Sequence, residues 1–387
     1  MENKDDSGKV LNPTVVKLGL VSLFADISSE MLYPITPIFL TLVLGASYTS
    51  VGLIEGVAEA VASFLKLYSG LWSDRSGKRK PFVVGGYLLS GLSKPVLAVV
   101  GSWPQVLVLR SLDRVGKGLR GAPRDALLSE SVSAPLRGAA FGWHRGMDTL
   151  GAAIGPLLAV WYLQTHAKED LRGIYVWALI PGLLSVAFTL FIKDRAVGAK
   201  SASLPRLRLQ NLGTPFRRYL LAWSLFALAN SSDVFLLLRA QQTGLSLTST
   251  ILLYCLYNLI YAFGSPLLGH LSDRWGRKKI LIFGLLVFAL VYAGFVYFSG
   301  PIAMAILFAI YGLYMAATDG VGKAFVLDLV PPAQKATGLG VFAAASGICT
   351  LVASAAAGLL WDCYGSGAAL GFGSVGAVFS ILVLIWC

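Results

Sequence analysis

The chain has 387 residues, 56% hydrophobic and 13% charged, with a mean hydropathy of +0.70. A soluble domain carries about 25% charged residues, so these proportions exclude one. The formal net charge of +12 invites a nucleic-acid reading, but the basic residues collect in separate short blocks, and no nucleic-acid partner is expected.

Apolar runs of about 20 residues recur along the chain, each long enough to cross a hydrocarbon core of about 30 Å as a helix. They do not alternate as barrel strands do. Residues 1–12 are polar and no small-residue cleavage site follows, so no cleaved signal peptide is expected. Twelve spans are predicted, near 14–43, 48–72, 81–100, 103–127, 138–163, 173–192, 215–240, 245–271, 279–299, 301–328, 336–360 and 366–386. Lysine and arginine cluster at 75–80, 114–124, 193–218 and 274–279, whereas the connections near 44–50, 101–104, 241–247 and 299–301 carry no charge. That asymmetry predicts a multi-pass protein of a bacterial-type inner (plasma) membrane with both termini in the cytoplasm. The long polar stretch 193–218 reads as a cytoplasmic linker between a six-helix half, 1–192, and a second, 219–387.

An internal repeat supports the halves. Gly70-Leu-Trp-Ser-Asp74-Arg75-Ser-Gly77-Lys-Arg79-Lys80 is echoed by Gly269-His-Leu-Ser-Asp273-Arg274-Trp-Gly276-Arg277-Lys-Lys279, 199 residues later, between the same pair of apolar runs. Leu23-Phe24-Ala25 recurs as Leu225-Phe226-Ala227 at a similar offset. A period of half the chain means two copies of one helical unit.

Charges inside the spans are the candidate site. A charged side chain at mid-bilayer costs at least about 2.5–3.5 kcal/mol, so each needs a partner or a task. The first span has Asp26 and Glu30 on one face; the second has Glu55, Glu59 and Lys66; the third has Lys94. The fourth has Arg110, Asp113, Arg114 and Lys117, and the fifth His144, Arg145 and Asp148. The second half carries fewer: Asp233, Arg239, Asp319 and Lys323. The first half is therefore expected to hold most of the ion and polar-substrate chemistry. Burial favours a protonated carboxyl and a neighbouring arginine favours the carboxylate, a competition suited to proton coupling. Proton-coupling candidates are Asp26, Glu30, Glu55, Glu59, Asp113 and Asp148; substrate or charge-pair candidates are Tyr33, Arg110, Arg145 and Asp233. The bland alternative is that opposite charges pair to fix helix packing. Arg114, Lys117, Arg120 and Arg124, nearer the end of the fourth span, are expected to be solvated or gate-forming. Pro34 and Pro37 predict a kink in the first span.

The duplicated motif resembles the basic loop between the second and third helices of major facilitator superfamily (MFS) transporters and its counterpart between the eighth and ninth. The resemblance covers the whole chain. It implies an all-α membrane protein of twelve helices in two six-helix halves, and a cytoplasmic latch at Gly70, Asp74, Arg75, Gly77 and Arg79, repeated at Gly269, Asp273, Arg274, Gly276 and Arg277. Arg110-Ser-Leu-Asp113-Arg114 is similar to the family's R-x-x-Q-G, with Asp113 and Arg114 replacing glutamine and glycine. Gly151-Ala-Ala-Ile-Gly155-Pro156-Leu-Leu-Ala159 is similar in part to the antiporter motif of drug exporters, with Gly151, Gly155 and Pro156 as helix-packing residues.

The expectation is a monomeric secondary transporter working by alternating access, exporting a small organic molecule against protons across the lipid bilayer. Its rivals are an importer or uniporter of an organic anion and a non-transporting membrane sensor or scaffold. No enzyme activity is expected, since no nucleophile, metal cluster or phosphate loop stands out. The four cysteines show no C-x-x-C spacing and only three histidines exist, so neither metal, disulfide nor cofactor is expected. If the duplicated loop is a latch, Asp74→Asn lowers transport while expression holds; a vesicle uptake assay with unchanged rates would refute it.

Overall fold

The computed structural model describes residues 11–133, 136–166, 170–192, 212–331 and 335–386. Among them are helices and no strand: α1 Pro13–Glu30, α2 Thr36–Ile38, α3 Tyr48–Ser76, α4 Lys80–Val96, α5 Trp103–Glu130, α6 Arg137–Thr165, α7 Leu171–Trp177, α8 Leu179–Leu190, α9 Thr214–Ala229, α10 Val234–Gln242, α11 Leu247–Trp275, α12 Arg277–Tyr297, α13 Pro301–Leu329, α14 Lys335–Tyr364 and α15 Ser366–Trp386. They group into the twelve predicted segments, because the first, sixth and seventh are each broken once. Residues 193–211 of the predicted linker lie outside the described residues, and α9 begins inside its last part, with Pro215 in the first turn.

The breaks in the first and seventh segments have local causes. α1 starts where the Asn12 side chain accepts from the Thr14 and Val15 N–H groups, both at 3.0 Å, with Pro13 in the first turn. It ends at Glu30 because Pro34 has no N–H to continue the ladder; Thr36 bonds back to the Leu32 carbonyl at 2.9 Å, and residues 39–43 form a wider π turn. The seventh segment breaks at Asn230-Ser-Ser-Asp233, short polar side chains that compete with the helix for backbone groups. There the Ser232 N–H donates to Ser354 Oγ at 3.1 Å. α7 is capped by Asp170, which accepts from Tyr162 Oη at 2.7 Å and from the Gly173 N–H at 2.9 Å. The Tyr162 hydroxyl and that amide hold the Asp170 carboxyl below its usual range.

Nine stretches among the described residues are long and apolar enough to span a membrane. The three predicted spans that miss this standard are the first, second and fourth, all rich in charge.

The chain divides into two compact units: Met1–Thr36 with Val61–Leu204, and Pro37–Ala60 with Pro205–Cys387. The division runs through α3. In unit 1 the helices approach backbone to backbone at glycines. A Cβ on Gly86 would stand 2.6 Å from the Gly116 carbonyl, joining α4 to α5. On Gly151 it would stand 2.6 Å from the Leu23 carbonyl and on Gly155 2.7 Å from that of Ile27, joining α6 to α1. Pro156 follows, buried within α6.

Unit 2 is packed with aromatic rings. Phe288 stacks on Tyr292 at 3.9 Å, and Phe226, Tyr311 and Tyr314 surround the pair. In the same unit Asp362 on α14 caps α3, accepting from the Tyr48 and Thr49 N–H groups at 2.9 and 2.8 Å and from Thr49 Oγ1 at 2.6 Å. An acid suits the positive end of a helix dipole.

In both copies of the duplicated motif the leading helix gives way to a glycine with positive φ, Gly77 at +66° after α3 and Gly276 at +96° after α11. Alanine at either should cost about 1–2 kcal/mol. Gly269→Ala meets open space within a helix and should be neutral or stabilising. Thermal unfolding of the three variants in detergent checks the contrast.

Candidate site: a charge network in the first unit

The buried acids, bases and histidines among the described residues, by whole-residue exposure, are Glu55, Arg79, Lys94, Arg110, Asp113, Arg120 and His144. None lies after residue 144, although the second half has as many spans. Unit 1 holds two adjoining clusters.

The first is centred on Asp113 of α5. Its carboxylate accepts from Ser90 Oγ and faces two cations, Arg110 Nη1 at 3.9 Å and Lys94 Nζ at 4.0 Å. Lys94 also donates to Ser29 Oγ at 2.9 Å and Ser28 Oγ at 3.2 Å, on the last turn of α1. One carboxylate thus stands against two buried cations. The Gly86–Gly116 approach makes this reachable, because serine and aspartate are short and need close helix axes.

The second cluster lies nearer the end where α1 begins and α5 finishes. Asp148 of α6 accepts from Ser22 of α1, with His144 Nδ1 at 3.7 Å and Arg145 Nη1 at 4.0 Å. Asp26 is one helical turn from Ser22 and within electrostatic reach of Asp148, Lys117, Glu30 and Arg120. Arg124 pairs with Asp125 at 2.9 Å and reaches toward Ser22 at 3.4 Å. Arg120 lays its guanidinium over the Tyr87 ring, 4.2 Å from the centroid.

The structure brings Asp26, Arg110, Asp113, Arg145 and Asp148 into these clusters. Glu30 closes α1 beside Gly155, and a Cβ on that glycine would be 3.0 Å from Glu30 Cβ. Tyr33 lies half-buried in the turn after α1. Glu55, buried, and Glu59, exposed, belong to unit 2. Asp233 is also in unit 2, at the break in the seventh segment, where its carboxylate accepts from Tyr311 Oη at 2.6 Å and Tyr257 Oη at 3.0 Å.

In the duplicated loops, Gly70 packs against Ala122, with a Cβ–Cβ separation of 3.2 Å for an added methyl. Asp74 lies in the last turn of α3, and its side chain is outside the described residues. Arg75 and Arg274 are exposed. Arg79 is buried, donating to Ser73 Oγ at 2.8 Å and to Glu130 Oε1 at 3.1 Å on the last turn of α5. Arg277 binds Asp328 on the last turn of α13 at 2.8 Å and Asp273 at 3.5 Å. The same offset separates Arg79 from Arg277 and Glu130 from Asp328. Each copy therefore ties its own loop to the helix that follows the next one.

The family profile of the Major Facilitator Superfamily matches residues 18–238 and, a second time, residues 219–387. The chain belongs to the major facilitator superfamily. An uncharacterized MFS-type transporter of Methanocaldococcus jannaschii is 36% identical, over 100% of this chain and 98% of that protein. A cis,cis-muconate transport protein of Acinetobacter baylyi is 23% identical, over 82% of this chain and 80% of its own. The crystal structure of a nucleoside transporter shares the fold with a TM-score of 0.79 at 13% identity, covering 96% of this chain and 98% of that one. This MFS chain is a multi-pass membrane transporter with the all-α fold of the superfamily.

Several partners were not singled out by sequence. Lys94 stood out only as a charge within a span, and Ser22, Ser28, Ser29 and Ser90 carried no signal at all. Glu130 and Asp328 could have been found by aligning the halves at an offset one residue shorter than the motif's, the offset that also relates Arg79 to Arg277. Removing one member of a buried pair costs about 3–5 kcal/mol. Asp113→Asn should therefore lower the melting temperature more than the double variant Lys94→Met/Asp113→Asn, a non-additivity that a double-mutant cycle in detergent reads directly.

Proposed function

We propose that this chain is a proton-coupled exporter of a small organic molecule, working by alternating access between six-helix halves 1–192 and 219–387 joined by 193–218. The observation that carries the reading is the Asp26–Asp148 neighbourhood, two carboxylates of adjacent helices matched by Ser22, His144, Arg145 and Lys117. Two such acids close together can share a proton, and a change of helix packing alters which cation each one meets. The close α1–α6 approach at Gly151 and Gly155 supports export, since it matches the part of the antiporter motif this chain keeps. The basic loops support a reading with both termini in the cytoplasm of an inner membrane, and the Arg79–Glu130 and Arg277–Asp328 ties are candidates for the fixed ends of the latch.

A second reading, transport of an organic anion with or without protons, is favoured by one observation. Among the buried groups of unit 1, Arg79, Lys94, Arg110 and Arg120 outnumber Asp113. The muconate-transporting relative is in keeping with it.

Proteoliposomes loaded with a pH-sensitive dye test both. Export coupling predicts substrate-dependent proton movement that Asp26→Asn or Asp148→Asn slows at least about tenfold, the size of a lost proton-transfer step. Substrate flux without proton movement overturns the coupling.

A further inference from the structure

Arg120 is 5% exposed and Tyr87 2% exposed, yet Arg120 Nη1 and Tyr87 Oη have no hydrogen-bond partner among the described residues. The two are held together by the stacking of the guanidinium on the ring. Of the acids nearby, Asp125 is matched by Arg124 and Asp148 by Ser22, His144 and Arg145, while Asp26 lies within electrostatic reach of Arg120. Among the described residues no carboxylate lies within ion-pair distance of Arg120, and Arg124, in electrostatic reach of Tyr87, adds a second positive charge beside it.

Buried donors are rarely left unmade, since each costs about 1–3 kcal/mol. Here two donors of adjacent helices lie side by side, backed by an aromatic face, in the cationic part of the unit. Planar guanidinium beside a hydroxyl suits an oxyanion, which offers several acceptor oxygens at once. The packing that builds the pair is fixed: a Cβ on Gly86 would stand 2.8 Å from Arg120 Cβ, so the residue before Tyr87 must be this small for Arg120 to reach the ring.

We propose that Arg120 and Tyr87 form the subsite for an oxyanion group, a carboxylate or phosphonate, on the transported solute. The proposal rests on the transporter reading, because Nη1 is closed to solvent here and the helices around it must part for a solute to enter. It does not depend on proton coupling or on direction. It gives Arg120 a substrate contact where the sequence pointed to a solvated or gating residue.

Thermal unfolding of the full chain in detergent tests it, with millimolar adipate, methylphosphonate and the neutral diamide adipamide as probes. The oxyanions should raise the melting temperature by mass action and adipamide should not. Arg120→Gln should weaken the oxyanion effect at least about tenfold, while Arg217→Gln, an exposed arginine on α9, should leave it intact. Where Arg120→Gln does not fold, Tyr87→Phe keeps the ring and removes the hydroxyl, and should weaken the effect several-fold. Stabilisation absent in the wild type, equal in Arg120→Gln, or unchanged in Tyr87→Phe overturns the proposal. An anionic phospholipid that stabilises through Arg120 while soluble oxyanions do not assigns the donors to a headgroup and overturns it too. The dye assay separates the two readings: proton-coupled flux without oxyanion stabilisation defeats only this subsite, and stabilisation without proton movement defeats only the coupling.

Discussion

Hydrocarbon cannot solvate a charge, and most of unit 1 follows from that constraint. The apolar side chains of these spans could have built a bundle with no polar interior, yet α1, α4, α5 and α6 carry acids, lysine, histidine and arginines into it. Each needs an oppositely charged or hydrogen-bonding group close by, because an uncompensated buried charge is strongly destabilising. Short partners such as Ser22, Ser28, Ser90 and Asp113 reach only if helix axes are close. The glycines Gly86, Gly116, Gly151 and Gly155 supply that closeness, so the small residues and the charges form one design rather than two.

Unit 2 solves the polar problem differently. Asp233 is matched by two phenol hydroxyls, and Asp319 by Tyr261 Oη at 2.8 Å with Lys323 at 2.6 Å. Tyrosine brings a hydrogen bond and a large apolar ring in one side chain, so a single acid can be buried with little added charge. Two units grown from one ancestral pattern thus differ in kind. Buried cations face Asp113 in the first, while in the second phenols satisfy Asp233 and share Asp319 with Lys323.

The twelve segments and the duplicated loop were legible because they rest on hydropathy and on literal repetition. Breaks were legible only where proline announced them: Pro34 pointed to the end of α1, but Asn230-Ser-Ser-Asp233 gave no such notice, since those residues also occur within helices. Membrane-depth charges could be counted from sequence, but their partners could not. Ser29 meets Lys94 across 65 residues of chain, and nothing local marks a serine as the acceptor of a buried ammonium. Arg120 shows the limit most clearly. Depth counting put it toward the wet end of its helix, whereas its burial comes from Tyr87 on another helix.

The charge load of α5 also bears on how the protein is made. Arg110, Asp113, Arg114, Lys117, Arg120, Arg124, Asp125 and Glu130 all lie on Trp103–Glu130, and a helix so loaded does not leave the translocation channel for lipid by itself. Its predecessor α4 ends only a short turn earlier, with Lys94 in its last stretch. The two must leave the channel as a hairpin, with ammonium and carboxylate already facing each other. On that reasoning the third and fourth segments are a single cargo for the insertion machinery.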